Sequence, residues 1–319
     1  MQYNENRYFP EDLDGDFHIR AMDKRYKYSS VESLEEFMRI CDEYGLRYFA
    51  YYGTMLGAVR HKGFIPWDDD IDVVMFREDF NQFLKIAPNA VRPPFELQFV
   101  ETSAFYPLRL VNGRDIRLEE DFLNRFHGCP YPTGIDIYTL DKLPEDEGEK
   151  EFLRSLYEVT KFMAQYTDEQ YEELYEHERE GSPDDLKEIV DGIESALNVT
   201  FVRDNTLAKQ LSTLCNRLAA IYNETDSKIV TRMDIWSTDG HREEMPIECF
   251  DDVIMMPFEE IEVPIPIGYD ELLKRVYGDY MTPVRGGGAH QYRNYQEHED
   301  LLIGELKSKG YNIPPFLLE

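Results

Sequence analysis

Positive charge is scarce in this sequence. Its 319 residues carry 34 Lys and Arg against 64 Asp and Glu, a formal net charge of −30. Phosphate backbones and anionic lipid repel so acidic a chain at long range, which argues against a nucleic-acid or membrane-surface protein. A phosphorylated substrate would have to be held locally, by a metal or a few Arg and Lys. Cysteine is scarce as well. Cys41, Cys129, Cys215 and Cys249 are widely spaced with no CxxC pair, which argues against a zinc site or a disulfide framework and suits buried thiols in a reducing compartment. Nowhere do about 18 apolar residues run together, and the start at Met1 lacks the apolar stretch of a secretory signal. The sequence therefore predicts a cytoplasmic protein without a membrane span. Internal repeats and low-complexity tracts are missing too. What is present is 42% hydrophobic and 13% aromatic residues, with 22 Tyr and 19 Phe, the composition of a folded globular chain. The length suggests about two domains, or one with an insertion.

Charge and periodicity place the boundaries. Residues 145–200 hold 18 acids and 5 bases, the most acidic part of the chain. There Phe152, Leu153, Leu156, Val159, Phe162, Met163 and Tyr166 recur at three and four, the period of an amphipathic helix. Ser182-Pro183-Asp184-Asp185 looks like a helix start, leading through Ile189, Val190, Ile193 and Leu197. Leu207, Leu211, Leu214, Cys215, Leu218 and Ile221 make a third helix. The acids read as a solvated helical face. The first 140 residues alternate instead, with helices expected over 30–44, 55–60 and 78–86 and strands over 48–52, 70–75, 95–100, 108–111, 115–118 and 134–139. The expectation is an α+β chain: a mixed sheet flanked by helices in a core over 1–143, an acidic helical segment over 144–225, and a C-terminal part over 226–319 completing the site.

The strongest chemical signal is Trp67-Asp68-Asp69-Asp70-Ile71-Asp72-Val73-Val74. Clustered carboxylates repel one another and call for a compensating cation. Residues two apart on a strand face the same way, so Asp70 and Asp72 would project together while Ile71 and Val73 face the core. Two such carboxylates can grip one or two magnesium ions, which favour a few carboxylates together with phosphate oxygens. Ahead of them, Gly53-Thr54-Met55-Leu56-Gly57 lies between a strand and a helix, where backbone N–H groups can approach a phosphate. Arg60, His61 and Lys62 form the compact basic cluster near the acids, and Arg60 and Lys62 are candidates to neutralise phosphate. Asp136, between Ile135 and Ile137, is a third strand acid that would complete a three-carboxylate site. Other motifs are weaker: His177-Glu178 does not continue as a zincin, and Gly286-Gly287-Gly288-Ala289-His290 lacks the Lys-Ser of a P-loop.

The run from Tyr52 through Val73 resembles the signature of the LicD and fukutin-related family, within the nucleotidyltransferase-fold superfamily. In that superfamily a Gly-Ser or Gly-Thr turn precedes an Asp-x-Asp strand, and a third acid arrives on a later strand. Gly53-Thr54, Asp70-Ile71-Asp72 and Asp136 match those parts in order. Val263-Pro264, Gly268-Tyr269-Asp270 and Tyr277-Gly278-Asp279-Tyr280-Met281 resemble the family's C-terminal part. The resemblance implies transfer of a phosphorylated small alcohol, phosphocholine from CDP-choline being the best-known case, to a hydroxyl of a cell-surface glycan or teichoic-acid-type acceptor. It further implies that Asp70, Asp72 and Asp136 serve as metal ligands around two magnesium ions, with Asp136 able to take the acceptor's proton. Two other readings stay open. A metal-dependent glycosyltransferase also uses Asp-x-Asp, but would need a nucleotide-binding region of roughly a hundred residues first. A non-catalytic cation-binding module would spread its acids through a loop rather than at strand spacing.

Overall fold

The computed structural model describes residues 12–14, 17–98, 108–166, 183–204, 206–239 and 243–284, together with 299, 302–304, 306–308 and 310. It divides into two compact units, one drawn from 1–98, 109–137 and 252–319, the other from 99–108 and 138–251. The sequence expectation had its boundaries at 143/144 and 225/226.

The first unit opens with a hairpin, β1 Asp12–Asp14 and β2 Phe17–Ile19, and then α1, Ala21–Tyr44. Next come β3 Phe49–Ala50, α2 Tyr52–Arg60, β4 Asp72–Phe76 and α3 Arg77–Ala90. After them follow β5 Glu96–Gln98, β6 Leu108–Val111, α4 Glu120–Arg125 and β7 Gly134–Lys142. The strands lie in the order β3-β4-β7-β6-β5, with β3 antiparallel to β4 and β5 antiparallel to β6. This is the mixed sheet flanked by helices that the alternating pattern predicts. β7 runs on into the second unit.

Helix α1 begins nine residues before its expected start. Over that extension Asp23, Arg25, Lys27 and Ser29 are buried among Ala21, Met22 and Tyr26, so polar residues interrupt the apolar stripe. Ser29 Oγ meets Thr133 Oγ1 at 2.7 Å, and Ser30 Oγ donates to the Tyr26 carbonyl; Ser30 thus belongs to the helix interior rather than its cap. The expected stop is in place, with Gly45 in the left-handed region at φ 66°, a conformation that favours glycine. Toward that end Phe37 packs edge-on against Tyr48, centroids 4.9 Å apart, and tilted against Phe83 of α3 at 5.2 Å. Residues 115–118 form no strand: Arg117 N–H bonds the Pro130 carbonyl in an irregular segment leading to α4.

Glu36 shows how α1 is tied down. Its buried side chain accepts bonds from the guanidinium groups of Arg39 and Arg92 and from the Arg92 N–H. Burial works against its charge, but those bonds outweigh burial and bring its pKa down from 4.5 to about 2. A carboxylate held low stabilises the fold fully above its unfolded pKa, and the contribution is lost as pH falls toward the folded value. Glu36→Gln should therefore cost about 2 to 3 kcal/mol at neutral pH, and its deficit relative to wild type should shrink between about pH 4.5 and pH 2. Urea titrations of both proteins across that range check this; a pH-independent difference would contradict it.

In the second unit the acidic segment is helical, as its period predicts: α5 Glu147–Tyr166, α6 Pro183–Leu197 and α7 Leu207–Ala220. Leu153, Leu156, Met163, Ile193, Leu211 and Trp236 are among the residues of its core. Glu147, Glu149, Glu151 and Glu158 all face solvent, consistent with a solvated acidic face. Phe152 and Phe162, expected on the inner stripe, are 59% and 49% exposed, because the buried stripe runs one position away through Leu153 and Met163. Strands β8 Ile229–Thr231 and β9 Met245–Pro246 continue from the end of β7. Between them lies α8, Met233–Asp239. The chain then returns to the first unit with the hairpin β10 Val253–Phe258 and β11 Ile261–Pro266, and α9 Tyr269–Tyr277. Ser182, His177-Glu178, the Gly286–His290 tract and the last two residues of the strand expected over 95–100 lie outside the described residues.

All four cysteines are free and buried, and burial pushes the Cys129 thiol up to about 12. Among the described residues no helix is long and apolar enough to cross a membrane.

Candidate active site

The acids sit where strand alternation puts them, with one shift. β4 begins at Asp72, so Asp70 and Ile71 lie just ahead of the strand rather than within it. Even so, Ile71 and Val73 are fully buried while Asp70 and Asp72 are half-buried. Asp136 follows the same rule on β7, between Ile135 and Ile137, each 1% exposed. Its N–H donates to the Ile71 carbonyl at 2.8 Å, which brings it alongside the Asp70–Asp72 segment on the neighbouring strand.

Gly53 and Thr54 are joined to the same acids, though not as a loop. They lie in the first turn of α2. Tyr51 N–H donates to the Asp72 carbonyl at 3.0 Å, prolonging the β3–β4 ladder, and Thr54 Oγ1 accepts the Asp72 N–H at 2.9 Å. The threonine hydroxyl therefore fixes the backbone of the acid it precedes by eighteen residues. At Gly53 a Cβ would lie 2.2 Å from Asp68 Oδ2. Only glycine allows the Asp68 carboxylate this close to the helix start, where backbone N–H groups and the helix dipole favour an anion.

The basic candidates fare differently. Arg60 lies in the last turn of α2, about 10 Å along the helix axis from Gly53 at 1.5 Å per residue. Its guanidinium donates to His61 Nδ1 at 3.3 Å and to the Tyr280 carbonyl, and burial pulls its pKa down. It is turned to the C-terminal segment. Lys62 is exposed at φ 61°, and its carbonyl accepts the Glu259 N–H at 2.9 Å.

Two other cations approach the acids. Arg109, on β6, donates through Nε to Asp136 Oδ1 at 2.8 Å. Its signal was readable: a lone arginine between Leu108 and Leu110 alternates to the same side as a strand acid. Lys27, on α1, is buried, and desolvation brings its pKa down to about 8 although Asp68, Glu259, Asp23 and Asp69 all favour its charge. Nothing in the spacing of α1 marks that lysine. Among the described residues no three His, Cys, Asp or Glu form a group able to hold a metal by themselves, so Asp70, Asp72 and Asp136 are not a ready-made cage.

Fold and acid set together define an α/β domain whose mixed sheet carries a carboxylate site, tied by a threonine to a helix start. Comparison with known proteins gives this class a family. Residues 45–155 match the family model described as LicD/FKTN/FKRP, nucleotidyltransferase domain. It is similar to the lipopolysaccharide cholinephosphotransferase LicD of Haemophilus influenzae, 26% identical over 263 residues that cover 78% of this chain and 87% of that protein. An uncharacterized protein of Rickettsia typhi is 39% identical over 74 residues, covering 21% of this chain and 24% of its own length. A second, from Rickettsia prowazekii, is 37% identical over 71 residues, covering 20% and 27%.

Proposed function

We propose that this protein is a transferase that moves a phosphorylated small alcohol, phosphocholine first among them, from a CDP-activated donor to a hydroxyl of a glycan. The relative that supports this reading is a lipopolysaccharide cholinephosphotransferase matched over most of its length. The observation that carries it is that the Asp72 N–H bonds the Thr54 hydroxyl and the Asp136 N–H bonds the Ile71 carbonyl, which sets half-buried Asp72 and Asp136 on neighbouring strands.

Magnesium fits this face. The donors are carboxylate oxygens, hard ligands of the kind magnesium prefers, and fewer than a full cage suffices because the ion usually completes its shell with water and substrate phosphates. Asp70 and Asp72 would hold it, with Asp136 beside them. When bound, one or two such ions would neutralise the donor's diphosphate and polarise the phosphorus under attack. The acceptor oxygen forms a bond to the phosphorus bearing choline, the bond from that phosphorus to the bridging oxygen breaks, and CMP leaves. Asp136 receives the hydroxyl proton. Arg109 holds Asp136 Oδ1, orienting the carboxylate so that its other oxygen faces the acceptor. Thr54 keeps the backbone of Asp72 in register while the ligands reach outward.

A thermal-shift screen in magnesium tests the donor. A ligand at about 100 times its Kd stabilises by roughly 2.7 kcal/mol, so CDP-choline should raise the melting temperature by several degrees, UDP- and ADP-linked donors by far less. A larger shift from a UDP-sugar would replace this reading with glycosyl transfer.

A further inference from the structure

The segment that delivers the acids, residues 62–68, is gripped from two sides by charged groups. On one side Lys27 of α1 donates from Nζ to the carbonyls of Ile65 and Pro66 at 3.1 and 3.0 Å, with the Phe64 ring centroid 5.2 Å away. The Ile65 carbonyl also accepts the Asp68 N–H at 3.0 Å, so a single oxygen links the buried ammonium to the backbone of the first acid. On the other side stands Glu259, in the β10–β11 turn at φ 54°. Its N–H donates to the Lys62 carbonyl, and its Oε1 accepts the Phe64 N–H at 2.9 Å. Its Oε2 accepts the hydroxyl of Tyr28, the neighbour of Lys27, at 3.2 Å. A Cβ on Gly63 would lie 2.2 Å from Glu259 Oε1, and one on Gly57 would lie 2.4 Å from the Gly63 carbonyl, so both glycines are needed for this close approach.

Resting on the proposed transfer reaction, we propose that Lys27 and Glu259 are positioning residues: together they set the backbone of residues 62–68 and so fix where Asp68, Asp70 and Asp72 stand. Neutral donors could bond two carbonyls without the cost of desolvating an ammonium. A buried positive charge earns its place here because four carboxylates follow within five residues and repel one another. Glu259 balances that charge and carries the C-terminal hairpin into the same network.

The test uses the full chain with Lys27→Met, Glu259→Ala and Glu259→Gln, measuring amide hydrogen exchange across 62–70 and steady-state transfer from CDP-choline. Misplacement of reacting groups by about 1 Å can cost about 100-fold in rate. Lys27→Met and Glu259→Ala should therefore lower kcat roughly 30- to 100-fold with donor KM within about 3-fold, and protection at the Phe64 and Asp68 amides should fall at least about 10-fold. Glu259→Gln, which keeps an acceptor for the Phe64 N–H, should recover most of both. Wild-type exchange and kcat in Lys27→Met would overturn the proposal, as would equal losses in Glu259→Gln and Glu259→Ala. Should Lys27→Met fail to fold, Glu259→Ala decides. Should the wild type not use CDP-choline, the transfer reading fails by itself, and the exchange data still judge the clamp.

Discussion

Asp72→Asn is expected to reduce magnesium-dependent transfer to less than a tenth of wild-type turnover while leaving the fold intact or more stable. Two bonds at this residue are made by its backbone: the N–H to Thr54 Oγ1 and the carbonyl to Tyr51 N–H. Asparagine keeps both. What it removes is a carboxylate from a crowded acid run, which relieves repulsion in the metal-free protein and deletes a ligand from the working site, at a cost of several kcal/mol in the transition state. Asp70→Asn should behave alike, since it too removes a carboxylate from the same acid run. Melting curves and turnover on both variants should move in opposite directions. More than about a tenth of wild-type turnover in both would exclude the assigned role.

Asp136→Asn is expected to lower transfer to the glycan hydroxyl by about 100-fold or more, the usual contribution of a general base being about 10² to 10⁴. Its pair with Arg109 is partly exposed, 21% for the acid and 35% for the arginine, so losing it should cost no more than about 1 kcal/mol. Turnover then reports chemistry rather than unfolding. Donor affinity separates the remaining roles: unchanged binding in magnesium marks a base, weakened binding a metal ligand. A lower melting temperature with a near-normal rate would mark a purely structural acid and remove Asp136 from the site.

The acid face was legible in the sequence because it rests on a period of two. Ile71, Val73, Ile135 and Ile137 are buried and the acids between them are not, as alternation requires. The acidic helices were legible for the same kind of reason, their apolar residues recurring at three and four. What escaped was everything decided by contacts far apart in the chain. The early start of α1 was hidden because buried polar residues interrupt its inner face, Ser29 among them, which bonds Thr133 and Asn112 instead of packing as a hydrophobe. Arg60 sat close to the acids in sequence, yet one helix length carries it to Tyr280. Lys27 and Glu259 stand 232 positions apart and meet the same short segment, a convergence with no local signature.

The central claim is tested most directly by incubating the full chain with magnesium, a glycan acceptor such as lipopolysaccharide, and CDP-choline labelled in the phosphate that bears choline. The account predicts label on the glycan with one CMP released per phosphocholine transferred, abolished by chelation and restored by added magnesium. Label that stays on the nucleotide while a UDP-sugar is consumed on the same acceptor would contradict it.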